Sequence, residues 1–156
     1  MAEREDNMTD MSNAAIAVNG YHAHVYYDVA TKPTAKQLAE QIGNKFSVKF
    51  GGFRDGPVGP HAIANLQIIF TTAEFQNVVP WLMVNREGHD ILIHPLTDNS
   101  VDDHSRYALW LGNPVPLRLE TLRPAYRPDA ADRVGWQAAA TREDCRGDLI
   151  TKVFYV

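Results

Sequence analysis

The amino-acid sequence predicts a single α+β domain, because segments with the periodicity of strands alternate with segments that have the periodicity of helices. These elements follow the order β-α-β-β-α-β along the chain. This order is typical of the ferredoxin-like split βαβ fold, in which helices cover one face of an antiparallel sheet. We therefore expect a ferredoxin-like core with the sheet order 4-1-3-2, followed by a C-terminal extension.

The predicted strands are short and rich in β-branched and aromatic residues. The first strand alternates residue by residue, so Tyr21 and Val25 point to one face of the sheet while His22 and His24 point to the other. The strands are predicted at Gly20–Asp28, Ser47–Phe53, Ala62–Phe70 and Asp90–His94, and Pro95 ends the last of them.

The two predicted helices carry apolar residues at helical spacing and begin at capping-box sequences. Thr34 with Gln37 forms such a sequence in the first helix, and Thr71 with Glu74 forms one in the second. Pro80 falls inside the second helix and is expected to kink or shorten it.

The domain organisation follows from the same patterns. Residues 1–19 are polar and are interpreted as a flexible leader, and residues 20–117 as the folded core. Within the core, residues 102–112 predict a further short helix. Residues 118–156 are expected to form an extension that packs on the same domain and ends in one more strand.

Composition and charge exclude several classes of protein. The net charge is -4 and the sequence pI is about 5.8, with no dense block of basic residues, which argues against nucleic acid or an anionic membrane surface as a partner. No apolar run approaches the ~20 residues that span a bilayer. A single cysteine, Cys145, excludes an internal disulfide and suits a reducing compartment. We expect a cytoplasmic protein.

Three histidines are predicted to meet on one face of the sheet. The first and fourth strands are neighbours in the expected sheet, so His22 and His24 lie beside His94. A histidine on a half-exposed strand is more often a surface or hydrogen-bonded residue than a ligand, but three that converge indicate a polar, metal-type site. Residues expected on this face, away from the helices, are His22, His24, Tyr26, Asn65, Gln67, Leu92 and His94.

Other polar and aromatic residues have weaker cases. His61, in the loop before the third strand, enters the same face, and His104 is placed to fold over it. Arg54 is a candidate clamp for a substrate carboxylate. His89 lies in a turn and is interpreted as structural or solvated. Trp81 and Trp110 lie in helical stripes and are interpreted as core or interface residues.

Five segments in order resemble the DOPA 4,5-dioxygenase family of fungi and bacteria. They are YHAHVYYD (Tyr21–Asp28), DGPVGPH (Asp55–His61), FQNVVPWLMVNREG (Phe75–Gly88), ILIHP (Ile91–Pro95) and DDHSRYALWLG (Asp102–Gly112). The chain departs from the family at GPHA, where members typically have GPHP, and at HPLTDN, where they have HPxTG. These changes flank the histidines without replacing them, so they bear on substrate fit more than on metal binding.

The resemblance implies an extradiol dioxygenase that cleaves the ring of a catechol such as DOPA with O2 at a non-haem Fe(II). His22, His24 and His94 are then the candidate metal ligands. His61 and His104 are candidates for acid/base or substrate-orienting groups, and Tyr26 and Arg54 for holding the substrate. The usual extradiol site includes a carboxylate, for which Asp28, Asp102 and Asp103 are candidates, and a set of three histidines is equally compatible.

Two other functions fit the same sequence. The first is a non-catalytic metal- or small-molecule-binding protein on this scaffold, and the second is a stress or structural protein that dimerises through its open sheet face. In every case an uncovered face rich in tyrosine and histidine predicts a homodimer, or a C-terminal extension, that covers the histidines.

Overall fold

The histidine-bearing face belongs to an antiparallel sheet that runs through the computed structural model, which describes residues 15–122. The elements are β1 (Tyr21–Tyr26), α1 (Lys32–Lys45), β2 (Val48–Arg54), β3 (Asn65–Phe70), α2 (Thr72–Asn85), β4 (Ile91–Pro95), α3 (Ser100–Asp103) and β5 (Leu109–Leu111), followed by a 3-10 turn at Leu119–Thr121. Most of the predicted leader and extension, with the predicted C-terminal strand, lies outside the described residues.

The five strands have the order β2-β3-β1-β4-β5, and all pairs are antiparallel. This order contains the predicted 4-1-3-2 arrangement and adds β5 beside β4. The ferredoxin-like α+β fold is therefore confirmed, with β1 as the central strand.

The apolar core lies between the sheet and one layer of helices. Each fully buried aliphatic or aromatic side chain stabilises the fold by about 1.5–3 kcal/mol, so the helix-packed face is where the stability resides. The opposite face is left free for polar side chains. The buried core residues include Val25, Ala35, Leu38, Ile42, Leu66, Ile68, Phe70, Val78, Leu82, Ile91 and Ile93.

The start of α2 shows one of the two hydrogen bonds of the predicted capping box, because the Thr71 side chain accepts from the Glu74 backbone N–H. Pro80 does not shorten this helix, which continues to Asn85. The box predicted at Thr34 is wrong. Helix α1 already begins at Lys32, because the following proline lacks an N–H and suits a first turn.

The predicted helix over residues 102–112 is also wrong beyond its first residues. Helix α3 ends at Asp103, and β5 then pairs with β4 so that Leu111 lies opposite Ile91. Leu111 is buried in the core while Leu109 and Trp110 remain partly exposed, so this edge strand extends the apolar face of the sheet. The short helix and strand together bring the loop that carries His104 back over the sheet.

No helix within residues 15–122 is both long and apolar enough to cross a membrane.

Candidate active site

Strands β1 and β4 bring three histidines together as predicted. His22 lies directly opposite His94 in the antiparallel register, and His24 follows two residues along on the same face. The Nε2 atoms of His24 and His94 are 3.3 Å apart. The alternating residues Val25 and Ile93 belong to the core, so the histidines lie on the face away from α1 and α2.

Two connections add two more histidines above this face. His61 is held by backbone bridges to Val58 and Leu117, and its ring centroid lies 3.8 Å from that of His24. His104 directly follows α3, and its ring centroid lies 3.9 Å from that of His94. Five of the six histidines in the chain therefore meet at one place.

Two groups among the described residues have ligand atoms close enough to hold one metal ion. In each group one atom from every residue lies within 4.8 Å of the others. The first group is His22, His24 and His94, and the second is His24, His61 and His104. His24 belongs to both, and its Nδ1 is already hydrogen-bonded to Asn65, so only its Nε2 is available. The two groups are therefore alternatives for one ion.

Burial keeps four of the five clustered imidazoles neutral, those of His24, His61, His94 and His104. It lowers the pKa of His24 and of His94 well below the usual 6.5, and neighbouring histidines add to the effect. The pKa of His61 is lowered to about 4, mainly by burial, and that of His104 is lowered for the same reason. Neutral imidazoles present the lone pairs that a divalent metal ion requires.

The candidate carboxylates have other partners. Asp28 accepts hydrogen bonds from the backbone and side chain of Thr31 at the start of α1. Buried Asp103 accepts from the Thr97 hydroxyl, at 2.6 Å, and from the Thr97 N–H. Asp102 is bonded to the Asn99 side chain. Both metal-capable groups in residues 15–122 thus consist of histidines alone.

Tyr26 lies at the end of β1 beside the cluster. Its hydroxyl is 2.7 Å from Nδ1 of His61, and burial raises its pKa, so it remains a neutral phenol. Trp110 stacks on its ring at a centroid distance of 5.9 Å. The helical pattern over residues 102–112 does not predict this position for Trp110. The alternation of Leu109, Trp110 and Leu111 was the available signal.

Arg54 lies on the same face as the histidines but at the sheet edge. It pairs with Asn65, which in turn pairs with Tyr26, so the three residues form one row across β2, β3 and β1. Two strand spacings place Arg54 about 10 Å from Tyr26. Its side chain is exposed, which suits a group that meets a substrate carboxylate at the rim.

His89 and Trp81 lie outside the cluster and have structural roles. Buried His89 lies 2.9 Å from the backbone oxygen of Tyr26 through Nδ1, and 2.9 Å from the Thr34 hydroxyl through Nε2. The structural interpretation is confirmed, although the residue is not solvated. Trp81 packs edge-on against Phe46 beside the core, as predicted.

Two polar residues of β3 contact the histidines of the neighbouring strand β1. Asn65 Oδ1 is 3.0 Å from His24 Nδ1, whereas Gln67 Nε2, a donor, is 3.0 Å from His22 Nδ1. Their position on this face was predicted, but these contacts were not. The β-bulge at Gly51 in the neighbouring strand leaves room for the Gln67 side chain.

We expect Gly51→Ala to displace Gln67 from His22. An added Cβ would overlap the amide oxygen of Gln67 and lie 2.8 Å from its Cδ, and this flexible side chain can move away. Loss of this partly buried hydrogen bond is expected to cost about 0.5–1.5 kcal/mol, which urea denaturation would measure. In a Gln67→Ala background the same substitution should cost much less. Equal costs in both backgrounds would show that Gln67 is not the residue that Gly51 accommodates.

A cavity of about 370 Å³ adjoins the cluster at His94. Its walls are apolar and include Tyr21 and Ile93 from the helix-packed side, with Phe75 of α2. Only one of the five clustered histidines, His94, lines this cavity. We therefore do not assign the substrate to it.

Comparisons with known proteins agree with this geometry. The sequence model of the Dopa 4,5-dioxygenase family matches residues 21–121. An uncharacterized 21.2 kDa protein of Botryotinia fuckeliana is 31% identical over 126 residues, which is 71% of this chain and 67% of that protein. The DOPA 4,5-dioxygenase of Amanita muscaria is 28% identical over 67% of this chain, which spans 50% of that protein.

A solved structure is also similar. The crystal structure of a Nostoc punctiforme protein, described provisionally as a dioxygenase, shares 47% sequence identity with this chain. The TM-score is 0.67, and the match covers 68% of this chain and 92% of that one. The family assignment therefore rests on sequence and fold together.

Proposed function

Because the chain belongs to the Dopa 4,5-dioxygenase family, we propose that it is an extradiol ring-cleaving dioxygenase that adds O2 to a catechol such as DOPA at a histidine-bound non-haem Fe(II). The observation that carries the proposal is the cluster of five histidines, which contains two alternative three-histidine groups around one position. A surface or purely structural role would not require this convergence.

The donor set fits the proposed ion. Neutral imidazoles suit Fe(II), and three of them leave coordination positions for a substrate and O2. We assign His22, His24 and His94 as the ligands, because all three lie on paired central strands, where side-chain positions are best defined. Binding through Nε2 of His22 requires the Gln67 amide to turn, so that its oxygen rather than its nitrogen faces Nδ1 of His22. When bound, the ion would supply the redox chemistry that couples O2 to the aromatic ring.

The remaining histidines are assigned to proton transfer. With its pKa lowered to about 4, His61 is neutral near pH 7, so its lone pair is available to a catechol hydroxyl. It is a weak base, and it would take the proton from a hydroxyl that a bound metal ion makes more acidic. Its partner, the Tyr26 hydroxyl, can either donate to Nδ1 or accept from it. His61 can therefore present its Nε2 with or without a proton, as acid/base catalysis requires. His104 is the second candidate, and its ring centroid lies 5.8 Å from that of His61.

Substrate recognition is assigned to the rim. Arg54 shares the face of the cluster, so its guanidinium can bind the carboxylate of DOPA or a related acid while the catechol ring reaches the histidines. An amino acid or a phenolic acid is therefore the expected substrate class, in preference to plain catechol.

The test is metal analysis and O2 uptake by protein that has been purified anaerobically and loaded with Fe(II). We expect oxygen consumption and a yellow, visible-absorbing ring-opened product with DOPA or caffeate, and weaker turnover of plain catechol. Arg54→Ala should reduce the difference in turnover between DOPA or caffeate and plain catechol. If protein that holds its metal consumes no O2 with DOPA, caffeate, protocatechuate or catechol, the non-catalytic binding protein becomes the better description.

The homodimer and the cytoplasmic location stay predictions. The dimer was inferred from a histidine face that needs cover, but the chain's own connections already leave His24, Leu92 and His94 at most 4% exposed. A dimer is therefore not needed to bury these residues, and light scattering would decide the oligomeric state.

A further inference from the structure

Three of the five clustered histidines have a carbonyl oxygen beside Nδ1. The other two differ, because Nδ1 of His22 faces the amide nitrogen of Gln67 at 3.0 Å and Nδ1 of His61 faces the Tyr26 hydroxyl at 2.7 Å. Nδ1 of His94 lies 2.8 Å from the backbone oxygen of Pro95, and Nδ1 of His104 lies 2.8 Å from that of Ser100. Nδ1 of His24 lies 3.0 Å from Oδ1 of Asn65. All three partners are carbonyl oxygens, which only accept, so each of these Nδ1 atoms carries the proton and each Nε2 is a bare lone pair.

The orientation of the Asn65 amide supports this conclusion. Its Nδ2 is 3.4 Å from the backbone oxygen of Ile63, which also only accepts. The amide nitrogen must therefore face Ile63, and the amide oxygen must face His24. Asn65 is 1% exposed, so water cannot readily replace this contact.

The tautomers create an arrangement that needs a cation. Nε2 of His24 and Nε2 of His94 face each other at 3.3 Å, yet neither carries a proton to donate. Two lone pairs at this distance repel each other unless a positive ion lies between or beside them. The two imidazoles are thus set to bind a metal ion before it arrives.

We propose that Asn65 is the positioning residue that fixes His24 in the Nδ1–H tautomer and so makes its Nε2 a metal ligand. The inference rests on the metal site of the proposed function. His94 and His104 are held by backbone oxygens, which no substitution removes, whereas His24 is held by a side chain. Outer partners of this kind typically change metal affinity by about 10–100-fold.

The experiment compares Asn65→Leu with Asn65→Asp, using Co(II) alone in competition with a chromophoric chelator. Leucine has a similar shape but no acceptor, so we expect about 10–100-fold weaker binding. Aspartate retains the acceptor and should bind at least as tightly as the parent protein. Asn85→Leu, which removes a side-chain hydrogen bond to Trp81 in α2, is the matched control and should leave the affinity unchanged.

A second readout is independent of metal. Nitrogen-15 NMR of the metal-free protein should find His24 protonated at Nδ1 in the parent and in Asn65→Asp, and shifted to Nε2–H in Asn65→Leu. A parent His24 protonated at Nε2, or equal losses of affinity in the two Asn65 variants, would overturn the proposal. If the parent binds no Co(II), the proposed function fails, and the NMR tautomer alone then decides the role of Asn65.

Discussion

His24→Ala is expected to abolish metal binding and ring cleavage while the chain remains folded. His24 is shared by both groups that can hold the ion, so no alternative set within residues 15–122 survives its removal. Loss of a direct ligand should exceed the about 10–100-fold effect that is typical of outer partners. The fold should persist, because the apolar core lies on the other face of the sheet. Metal content, oxygen uptake and a circular dichroism melt would be measured on the same sample.

The matched control for this substitution is His89→Asn. His89 is as buried as His24, at 5% against 4% exposed, but it lies outside the cluster and bonds the backbone oxygen of Tyr26. An asparagine amide can still donate to that oxygen. The control should lose some stability yet keep its metal and its turnover. If His24→Ala retains metal like the control, the site assignment is wrong even though the family is right.

The metal-free protein should become markedly less stable as the pH falls below about 6.5. Burial lowers the pKa of His24, His61, His94 and His104, so in the folded state these residues remain neutral while in the unfolded chain they take up protons near 6.5. The unfolded state then binds more protons, and acid favours it. Each such histidine contributes a slope of up to about 1.4 kcal/mol per pH unit.

Urea denaturation at several pH values between about 7.5 and 5.5 would measure this slope. His24→Gln removes one of the titrating groups. It should reduce the slope of the free energy of unfolding against pH by up to about 1.4 kcal/mol per pH unit, the value for one proton. Bound metal should make the free energy of unfolding fall more steeply with decreasing pH, because the ion competes with protons for the same lone pairs. A free energy of unfolding that is constant across this range would show that the imidazoles are not held neutral.

Strand alternation was enough to predict the part of the site that the strands carry, namely His22, His24 and His94. Because side chains on a strand alternate strictly between faces, placing Val25 in the core also placed His22 and His24 opposite it. The β-α-β-β-α-β order then made the strand of His94 a neighbour. These inferences needed only local periodicity and a known topology, and the register confirms them.

The parts that could not be predicted depend on contacts between distant segments. Trp110 was misplaced because a stretch of apolar residues over 107–111 fits a helix as well as an edge strand, and only pairing with Ile91 and Ile93 favours the strand. The Asn65–His24 bond joins residues 41 positions apart. The sequence places both residues on one face of the sheet but does not give the distance between Asn65 Oδ1 and His24 Nδ1. The tautomer of His24 is inferred from that contact.

The five histidines have two kinds of support, and this division bears on how the protein can evolve. The facing of His22 and His24 cannot change independently, since a slip of one residue in the pairing of β1 would turn both side chains to the helix side. His61 and His104 sit on connections, which accept insertions and exchanges without unpairing a strand. Descendants of this chain can therefore acquire new substrates through changes in the connections that carry His61 and His104, while they inherit the histidines of the strands unchanged.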